Sequence, residues 1–302
     1  MDYDDYDILN SRKNIEINKD PGPPKGLISK TIPRLRDYIH AQIRFLLEPV
    51  INQQREFNEA VVAEIKALKL LKKLDFDYLS FENKFRGSPE EITRRNGERY
   101  LKYFKGSSNV LDIGCGRGEF IKLLADNGVT ANGVEINHDM ALLCQSYGFD
   151  VKEADALEYL KRLEDDSVGG VFMCQLVEHL EPAYIIDLLR QCHKKMLHDS
   201  FIAIETVNVT SLFALVNPFY IDFTHRQPLH PETLKFLLEY VGFRDLKTEF
   251  YSPPPDKMKL KKIPTSGMSK SERGKFDIIN ENIDKTNNFL YGDQDCAVIG
   301  KK

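Results

Sequence analysis

Short apolar runs alternate with amphipathic segments from about residue 108 to residue 242. The apolar runs predict strands at 109–114, 130–136, 150–155, 168–175 and 201–208. Apolar residues at helical spacing predict helices at 119–128, 138–148, 156–163, 182–196 and 231–242. Strands interleaved with helices form a mostly parallel sheet with helices on both faces. The pattern therefore predicts a doubly wound α/β fold.

The C-terminal part of the chain continues this pattern differently. Residues 243–252 and 295–302 read as two closing strands. Between them the chain is basic and rich in proline, and we expect a mobile loop at 252–275. A segment at 209–230 follows the fifth predicted strand, and we expect it to border a substrate pocket.

The N-terminal quarter has a separate character. Residues 1–30 are polar and contain PGPP, which predicts a flexible tail. Apolar residues then recur every three or four positions through 31–74, which predicts a helical arm ending at residue 79 with a break at Pro49. The arm would pack on its own domain or on a second copy of the chain, forming a homo-oligomer. Alternatively, it would lie on a membrane surface or dock a partner.

Composition narrows the class of protein. The 302 residues are 42% hydrophobic and 29% charged, which excludes wholesale disorder. The net charge of −4 makes a nucleic-acid partner unlikely on the whole-protein scale. No run approaches the ~18 apolar residues of a transmembrane helix, and the acidic start does not resemble a signal peptide. Five scattered cysteines suit a reducing cytoplasm, so we expect a cytoplasmic protein, peripheral at the inner membrane face if the arm docks there.

A glycine-rich turn is the strongest local signal. Residues 112–119 read DIGCGRGE and lie between a predicted strand and a predicted helix, where backbone N–H groups can approach a ligand. Glu135 ends the next strand, 21 positions after Gly114, and a carboxylate there can accept both hydroxyls of a ribose. A further acid, Asp155, ends the third strand. A glycine turn alone can be purely structural, but this turn with two acids predicts a nucleoside site.

The same turn also indicates the charge of the group attached to the nucleoside. Dinucleotide sites use GxGxxG to admit a pyrophosphate, whereas this chain has GxGxG followed by Glu119. Asp112 would repel a pyrophosphate and would suit an ammonium or sulfonium group. The turn therefore favours a cationic nucleoside ligand.

These motifs resemble the class I S-adenosylmethionine-dependent methyltransferases. The resemblance covers about residues 80–250 and rests on LDIGCGRGEF, GVEIN, ADALEYL and CQLVEHL in that order. It implies a seven-stranded, Rossmann-like sheet whose seventh strand, supplied by 295–302, runs antiparallel beside the fifth. It also implies a methyltransferase domain at 80–302 with S-adenosylmethionine as cofactor.

The resemblance assigns cofactor contacts residue by residue. It implies that the glycine turn lines the methionine part of the cofactor and that Glu135 binds the ribose. The residues that follow Glu135 and the third strand would contact the adenine, and the end of the fourth strand would lie on the sulfonium side. The implied residues are Asp112, Gly114, Cys115, Gly116, Gly118, Glu135, Ile136, Asn137, Asp155, Ala156 and Gln175.

A finer resemblance lies outside the cofactor motifs. Residues 81–104 and 218–243 resemble a bacterial and archaeal group that accompanies glycosyltransferases of surface-polysaccharide assembly. By this resemblance, the acceptor is a saccharide and glycosyltransferase machinery is a possible partner. Arg86 and Gly87 would fold over the cofactor, unless they only cap a helix.

Candidate catalytic residues follow the fourth and fifth strands. Glu178 and His179 lie at the carboxyl edge of the sheet, and His225 and His230 lie within 209–230. Methyl transfer to a hydroxyl is helped by a base, and histidine is suited to that task near neutral pH. Phe213, Phe219, Tyr220 and Phe223 would form an apolar wall that excludes water.

Two chemistries remain open at these four residues. In the first, one histidine is the general base without a metal. In the second, Glu178, His179, His225 and His230 bind a divalent cation that polarises the hydroxyl. ExxEH followed by a distant histidine resembles metal-dependent small-RNA 2′-O-methyltransferases and some quinone-pathway enzymes, but Gln175 replaces their first glutamate. In a purely structural reading, His179 caps the strand and Glu178 pairs with an arginine.

The sequence thus predicts an S-adenosylmethionine-dependent O-methyltransferase that acts on a saccharide hydroxyl of a cell-surface glycan or its lipid-linked precursor. A small-molecule O-methyltransferase, with or without a metal, is the alternative within enzymes. An assembly subunit that acts through its helical arm is the alternative outside them.

Overall fold

The computed structural model describes residues 76–302 and six earlier positions: Leu47, Glu48, Asn52, Gln54, Glu56 and Asn58. Those six positions are helical, and the Gln54 amide donates to Asn58 Oδ1 at 2.8 Å, as expected one helical turn apart. The predicted tail, residues 1–30, lies outside the described residues. So do the other residues of the predicted arm, 31–79, as far as residue 75. One compact unit comprises Tyr78–Lys302, so it begins two residues before the predicted domain boundary.

Seven strands form a single sheet in the order β3-β2-β1-β4-β5-β7-β6. All neighbours pair in parallel except β7, which runs antiparallel to β5 and β6. The strands are β1 (Val110–Ile113), β2 (Ala131–Glu135), β3 (Val151–Glu153), β4 (Gly170–Cys174), β5 (Phe201–Val207), β6 (Arg244–Tyr251) and β7 (Asp295–Lys301). This confirms the predicted fold class, including the antiparallel last strand.

Helices cover both faces of the sheet. They are α1 (Tyr78–Phe85), α2 (Pro89–Phe104), α3 (Glu119–Asp126), α4 (His138–Ser146), α5 (Ala156–Arg162), α6 (Pro182–Lys195), α7 (Leu212–Ala214), α8 (Pro231–Val241) and α9 (Lys270–Leu290). A 3₁₀ turn spans Val177–His179, a π-helical turn spans Leu215–Phe219, and a second 3₁₀ turn spans Asp256–Met258.

The core lies in two layers because strand residues alternate between the faces. On one face, Phe120 of α3 stacks on Phe172 of β4 with ring centroids 3.8 Å apart, and Tyr100 and Phe104 of α2 complete the cluster. On the other face, α5, α6 and α8 cover Leu111, Ile113 and their neighbours. Burying each such side chain stabilises the fold by about 1.5–3 kcal/mol.

The start of helix α2 carries the residues that favour a helix N-terminus. Ser88 accepts a hydrogen bond from the Glu91 N–H at 3.2 Å, Pro89 occupies the first turn, and two glutamates follow. Gly87, with φ of 100°, reverses the chain between α1 and α2. This tight turn holds α1 beside the carboxyl edge of the sheet.

The predicted loop at 252–275 is shorter than expected. Helix α9 begins at Lys270, with Ser269 and Glu272 forming a capping box. Two asparagines of α9 hold the preceding segment: Asn280 bonds the backbone of Ile263 and Asn287 bonds that of Leu260. The helix was missed because few of its residues are apolar. None of the helices that the described residues form has the length and apolar character needed to cross a membrane.

Candidate functional site

The glycine turn connects β1 to α3 in a conformation that requires glycine. Gly114, Gly116 and Gly118 have φ values of 68°, 54° and 80°. A Cβ at Gly118 would also lie 2.9 Å from the ring of Phe149, and one at Gly114 would lie 3.0 Å from Leu176. The turn is therefore sharp enough to present its backbone at the carboxyl edge of the sheet.

Glu135 lies beside this turn, at the end of β2. Its Oε2 accepts from the Gly116 N–H at 2.9 Å, and its Oε1 accepts from the Asn137 N–H at 2.8 Å. Burial raises the pKa of this carboxyl, and the two backbone N–H groups oppose that rise. The carboxylate is thus fixed next to the glycine turn, where a ribose contact was predicted.

Asp112 is buried directly before the turn. Burial raises the pKa of its carboxyl, Glu119 adds to the rise, and Arg86 opposes it. Cys115 is also buried, and its contact with Cys144 together with burial raises the pKa of its thiol. The first residues of the turn are therefore shielded from solvent, and the charge of Arg86 offsets part of the burial of Asp112.

The predicted adenine contacts lie at the ends of β2 and β3. Asn137 caps α4 by accepting from the Met140 N–H at 3.1 Å, and Ile136 is 72% exposed. Asp155 caps α5 by accepting from the Glu158 N–H at 3.0 Å, and its second oxygen accepts from the Tyr184 hydroxyl at 2.8 Å. The capping hydrogen bonds hold the side chains of Asn137 and Asp155 at the sheet edge.

A cavity of about 490 Å³ lies beside the glycine turn, on the side of β4, β5 and β7. Its walls come from α1 and α2, from the ends of the three strands, and from the segment 209–230. The lining residues used below are Tyr78, Phe81, Glu82, Phe85, Arg86, Gln175, His179, Glu205, Phe213, Asp222, His225, Ser252 and Asp295.

Two of the four candidate catalytic residues meet in this cavity. The rings of His179 and His225 lie edge to face with centroids 4.5 Å apart. Asp222, which the sequence analysis missed, lies beside them, with its Oδ2 atom 3.9 Å from Nε2 of His225. We call His179, Asp222 and His225 the histidine cluster.

Hydrogen bonds fix the tautomers of both histidines. His225 Nδ1 lies 2.6 Å from the Phe219 carbonyl, which can only accept, so Nδ1 carries the proton. The Thr224 hydroxyl donates to Asp222 Oδ1 at 2.6 Å and thus accepts from His179 Nδ1 at 3.1 Å. Each histidine therefore keeps an unprotonated Nε2 atom.

Both histidines are neutral near pH 7. Burial lowers the pKa of His179 to about 4, with His225 adding to the effect. Burial also lowers the pKa of His225, while its bond to Phe219 and the charge of Asp222 oppose the shift. The pKa of Asp222 is lowered because hydrogen bonds from Thr224 and Tyr78 outweigh its burial. The cluster thus combines two neutral bases with one anion.

Tyr78, another residue missed from the sequence, holds the cluster from α1. Its hydroxyl donates to Asp222 Oδ2 at 2.6 Å, and its ring lies edge to face with His179. Burial and Asp222 raise the pKa of this hydroxyl, so it remains a donor. Tyr78 and Asp222 are 144 positions apart, and no local pattern links them.

The other two candidates do not join the cluster. Glu178 is fully buried, does not line the cavity, and has two carboxylate oxygens without a hydrogen-bond partner among the described residues. Burial raises its pKa to about 7, and the positive charge of Arg86 opposes the rise. His230 is exposed and caps α8 by accepting from the Glu232 N–H at 3.2 Å. Neither residue lines the cavity, so their predicted catalytic roles stay predictions.

The predicted apolar wall is only partly built. Phe213 lines the cavity, Phe219 is buried behind His225, and Tyr220 and Phe223 are exposed. Phe81 and Phe85 from α1 supply aromatic surface in their place, because α1 packs against this side of the sheet edge.

The opposite wall of the cavity is polar, which the sequence analysis did not foresee. Arg99 bonds Glu205 at 2.7 Å and Asp295 at 3.3 Å, and Ser252 donates to Asp295 at 2.5 Å. Gln175 reaches both acids, at 3.5 Å and 3.4 Å. Burial and Glu205 raise the pKa of Asp295 to about 6. We call Gln175, Glu205, Ser252 and Asp295 the polar wall.

The histidine cluster could also hold a divalent metal. One donor atom from each of His179, Asp222 and His225 lies within 4.8 Å of the others. The outer nitrogens of both histidines are engaged by hydrogen bonds, which is the arrangement that orients imidazole ligands. Two imidazoles and a carboxylate suit a transition metal better than magnesium. The cluster differs from the set predicted from sequence, since Asp222 takes the place of Glu178 and His230.

Comparison with known proteins identifies the family. A family model described as a methyltransferase domain matches residues 85–248. The chain is similar to the crystal structure of a SAM-dependent methyltransferase from Archaeoglobus fulgidus, with 49% identity, 75% of this chain and 100% of that chain covered, and a TM-score of 0.71. No curated protein sequence matches significantly.

More distant structures share the fold alone. One is phosphoethanolamine N-methyltransferase 2 from Haemonchus contortus in complex with S-adenosyl-L-methionine, with 14% identity, 76% of this chain and 61% of that chain covered, and a TM-score of 0.50. Another is a possible histamine N-methyltransferase from Thermotoga maritima, with 15% identity, 74% and 97% covered, and the same TM-score. From the glycine turn, the buried Glu135, the family match and the Archaeoglobus relative, we conclude that this chain belongs to the class I S-adenosylmethionine-dependent methyltransferases.

Proposed function

We propose that the protein transfers the methyl group of S-adenosylmethionine to a hydroxyl group of a saccharide. The observation that carries this proposal is the state of His225. Its Nδ1 proton is committed to the Phe219 carbonyl, so an unprotonated Nε2 atom borders the cavity. A hydroxyl is a poor nucleophile near pH 7, and a neutral imidazole is suited to remove its proton.

The proposed step is an in-line displacement. The acceptor oxygen attacks the methyl carbon from the side opposite the sulfur, so a C–O bond forms while the C–S bond breaks. The hydroxyl proton passes to Nε2 of His225, and S-adenosylhomocysteine leaves. Asp222, 3.9 Å from Nε2, stabilises the imidazolium that forms.

The polar wall supports a saccharide as the acceptor. Its carboxylates, amide and hydroxyl offer acceptors and donors for several sugar hydroxyls, and Phe81, Phe85 and Phe213 offer apolar surface for a sugar ring. A glycan of the cell surface, or its lipid-linked precursor, is our preferred source of that sugar on the basis of the sequence resemblance at 81–104 and 218–243.

A second candidate is a metal-assisted O-methyltransferase that acts on a small aromatic or quinone-like acceptor. The convergence of His179, Asp222 and His225 favours it, because these residues would hold a divalent cation. A bound cation would supply Lewis-acid activation of the hydroxyl. His225 would then be a ligand and could not act as the base.

Turnover assays separate these candidates. S-adenosylhomocysteine release is measured with extracted glycans, nucleotide sugars and small phenols, each with and without a chelator. Chelator-resistant turnover on a sugar that is lost in His225→Ala supports the proposal. Loss of turnover with chelator, restored by one added metal, supports the second candidate, and turnover on neither acceptor class contradicts both.

A further inference from the structure

An internal ion pair covers the glycine turn. Glu82, on α1, is 8% exposed, and Arg86 follows the helix by one residue. Nη1 of Arg86 donates to both carboxylate oxygens of Glu82, at 2.9 Å and 3.1 Å, and Nη2 reaches the carbonyl of Cys174 at the end of β4 at 3.5 Å. The pair therefore lies between the ends of β1 and β4.

The pair lies directly on the backbone of the turn. A Cβ added to Gly116 would be 3.5 Å from Nη1 of Arg86 and 3.8 Å from Oε2 of Glu82. Glu82 and Arg86 line the cavity, whereas Gly114 and Gly116 do not. The two side chains thus occupy the space through which a ligand at the turn would meet an acceptor in the cavity.

The turn itself clamps α1 in this position. Arg117 bonds Glu119 at 2.7 Å, the side chain of Asn83 at 2.9 Å and the carbonyl of Gly87 at 3.2 Å. All three partners lie at the glycine turn or around the end of α1. The placement of Glu82 over the turn is therefore held from both sides, by Arg86 and by Arg117.

We propose that Arg86 anchors the α-carboxylate of the cofactor and that Glu82 occupies this subsite until the cofactor displaces it. The cofactor carries one carboxylate, at the end of its methionine part. A buried guanidinium without an anionic partner is costly, so Arg86 keeps one carboxylate whether the site is filled or not. Burial alone would lower the pKa of Arg86, but Glu82 and nearby acids raise it, so the guanidinium stays charged throughout.

The exchange explains a feature that stability alone does not. Glu82 adds a fourth carboxylate to a region that already holds Asp112, Glu119 and Glu135, and a neutral side chain would relieve this crowding. As a stand-in for the cofactor carboxylate, Glu82 keeps the Arg86 guanidinium paired before the cofactor binds. The inference concerns the cofactor alone and does not depend on the proposed acceptor.

Calorimetric titration of the full chain tests the inference with two probes. S-adenosylhomocysteine carries the carboxylate, and 5′-methylthioadenosine lacks the whole amino-acid part. Glu82→Gln replaces the ion pair with a weaker hydrogen bond from Arg86 to a neutral amide oxygen, so it should tighten S-adenosylhomocysteine about three- to tenfold. Binding of 5′-methylthioadenosine should change less than about twofold, because this probe makes no demand on Arg86.

A matched control and a second variant complete the test. Glu98→Gln removes the same charge from an exposed pair with Arg94 at the same helical spacing, and it should change neither affinity. Arg86→Gln should weaken S-adenosylhomocysteine about tenfold or more, and adding Glu82→Gln to it should then have no further effect.

Three results would overturn the inference. The first is weaker or unchanged S-adenosylhomocysteine binding in Glu82→Gln, which would mean that Glu82 grips the cofactor ammonium or never enters the subsite. The second is an equal gain for both probes, which would mean a general opening of the site. The third is unchanged S-adenosylhomocysteine binding in Arg86→Gln.

Discussion

The candidate cofactor edge, formed by the glycine turn and Glu135, and the proposed acceptor cavity lie side by side on one sheet but are built in different ways. At the cofactor edge, the turn, Asp112 and Glu135 come from consecutive elements within 24 positions, and backbone geometry does most of the work. In the cavity, Tyr78 meets Asp222 across 144 positions and Arg99 meets Asp295 across 196. Local construction leaves a motif in the sequence, whereas long-range construction leaves isolated residues.

The sharpest test of the difference is His225→Ala. Removing a general base lowers kcat by about 10²- to 10⁴-fold, and the affinity for S-adenosylmethionine should stay within about twofold because the ring lies outside the cofactor edge. Steady-state kinetics and calorimetry on the same preparation measure both. Parallel loss of affinity and turnover would mean that the two regions form one functional unit.

The reciprocal change is Glu135→Ala. It removes the predicted ribose partner and leaves the Gly116 and Asn137 N–H groups without their carboxylate, so cofactor affinity should fall about 100-fold. Turnover at saturating cofactor should fall much less. Calorimetry with S-adenosylhomocysteine provides the affinity, and an intact affinity would remove Glu135 from the site.

Glu178→Gln tests whether the buried carboxyl group of Glu178 affects the stability of the fold or the reaction in the cavity. The folded pKa of Glu178, about 7, exceeds its ordinary value, so its contribution to stability is complete below about pH 4.5 and is lost as pH rises to about 7. The glutamine variant should therefore be more stable than wild type by about 3 kcal/mol at pH 8 and nearly equal at pH 4.5. Denaturant titration at both pH values measures this, and a lost turnover with unchanged stability would restore a direct catalytic role.

His230→Ala should have the smallest effect. The side chain caps α8 from the surface, so its loss should cost about 0.5–1 kcal/mol of stability. Turnover should remain at the wild-type level, which makes this variant the control for His225→Ala. A large fall in kcat would bring His230 into the reaction and contradict its placement here.

Local signals predicted the sheet and the glycine turn well. The apolar runs gave the strands, and glycines with positive φ are required where the turn bends. Helix α9 was missed because its face is weakly apolar, although the capping box formed by Ser269 and Glu272 was visible. Asp222 and Tyr78 could not have been found, since a lone acid or tyrosine gains its meaning only when folding brings distant segments together.

The eight residues of α1 have a kinetic consequence. Tyr78, at the start of the helix, donates a hydrogen bond to Asp222 of the histidine cluster. Glu82, further along the same helix, lies over the glycine turn. A rigid two-turn helix cannot shift at one end without disturbing the other. Arrival of the methyl donor should therefore prepare the acceptor side, and initial-rate patterns should show compulsory-order addition with the donor first.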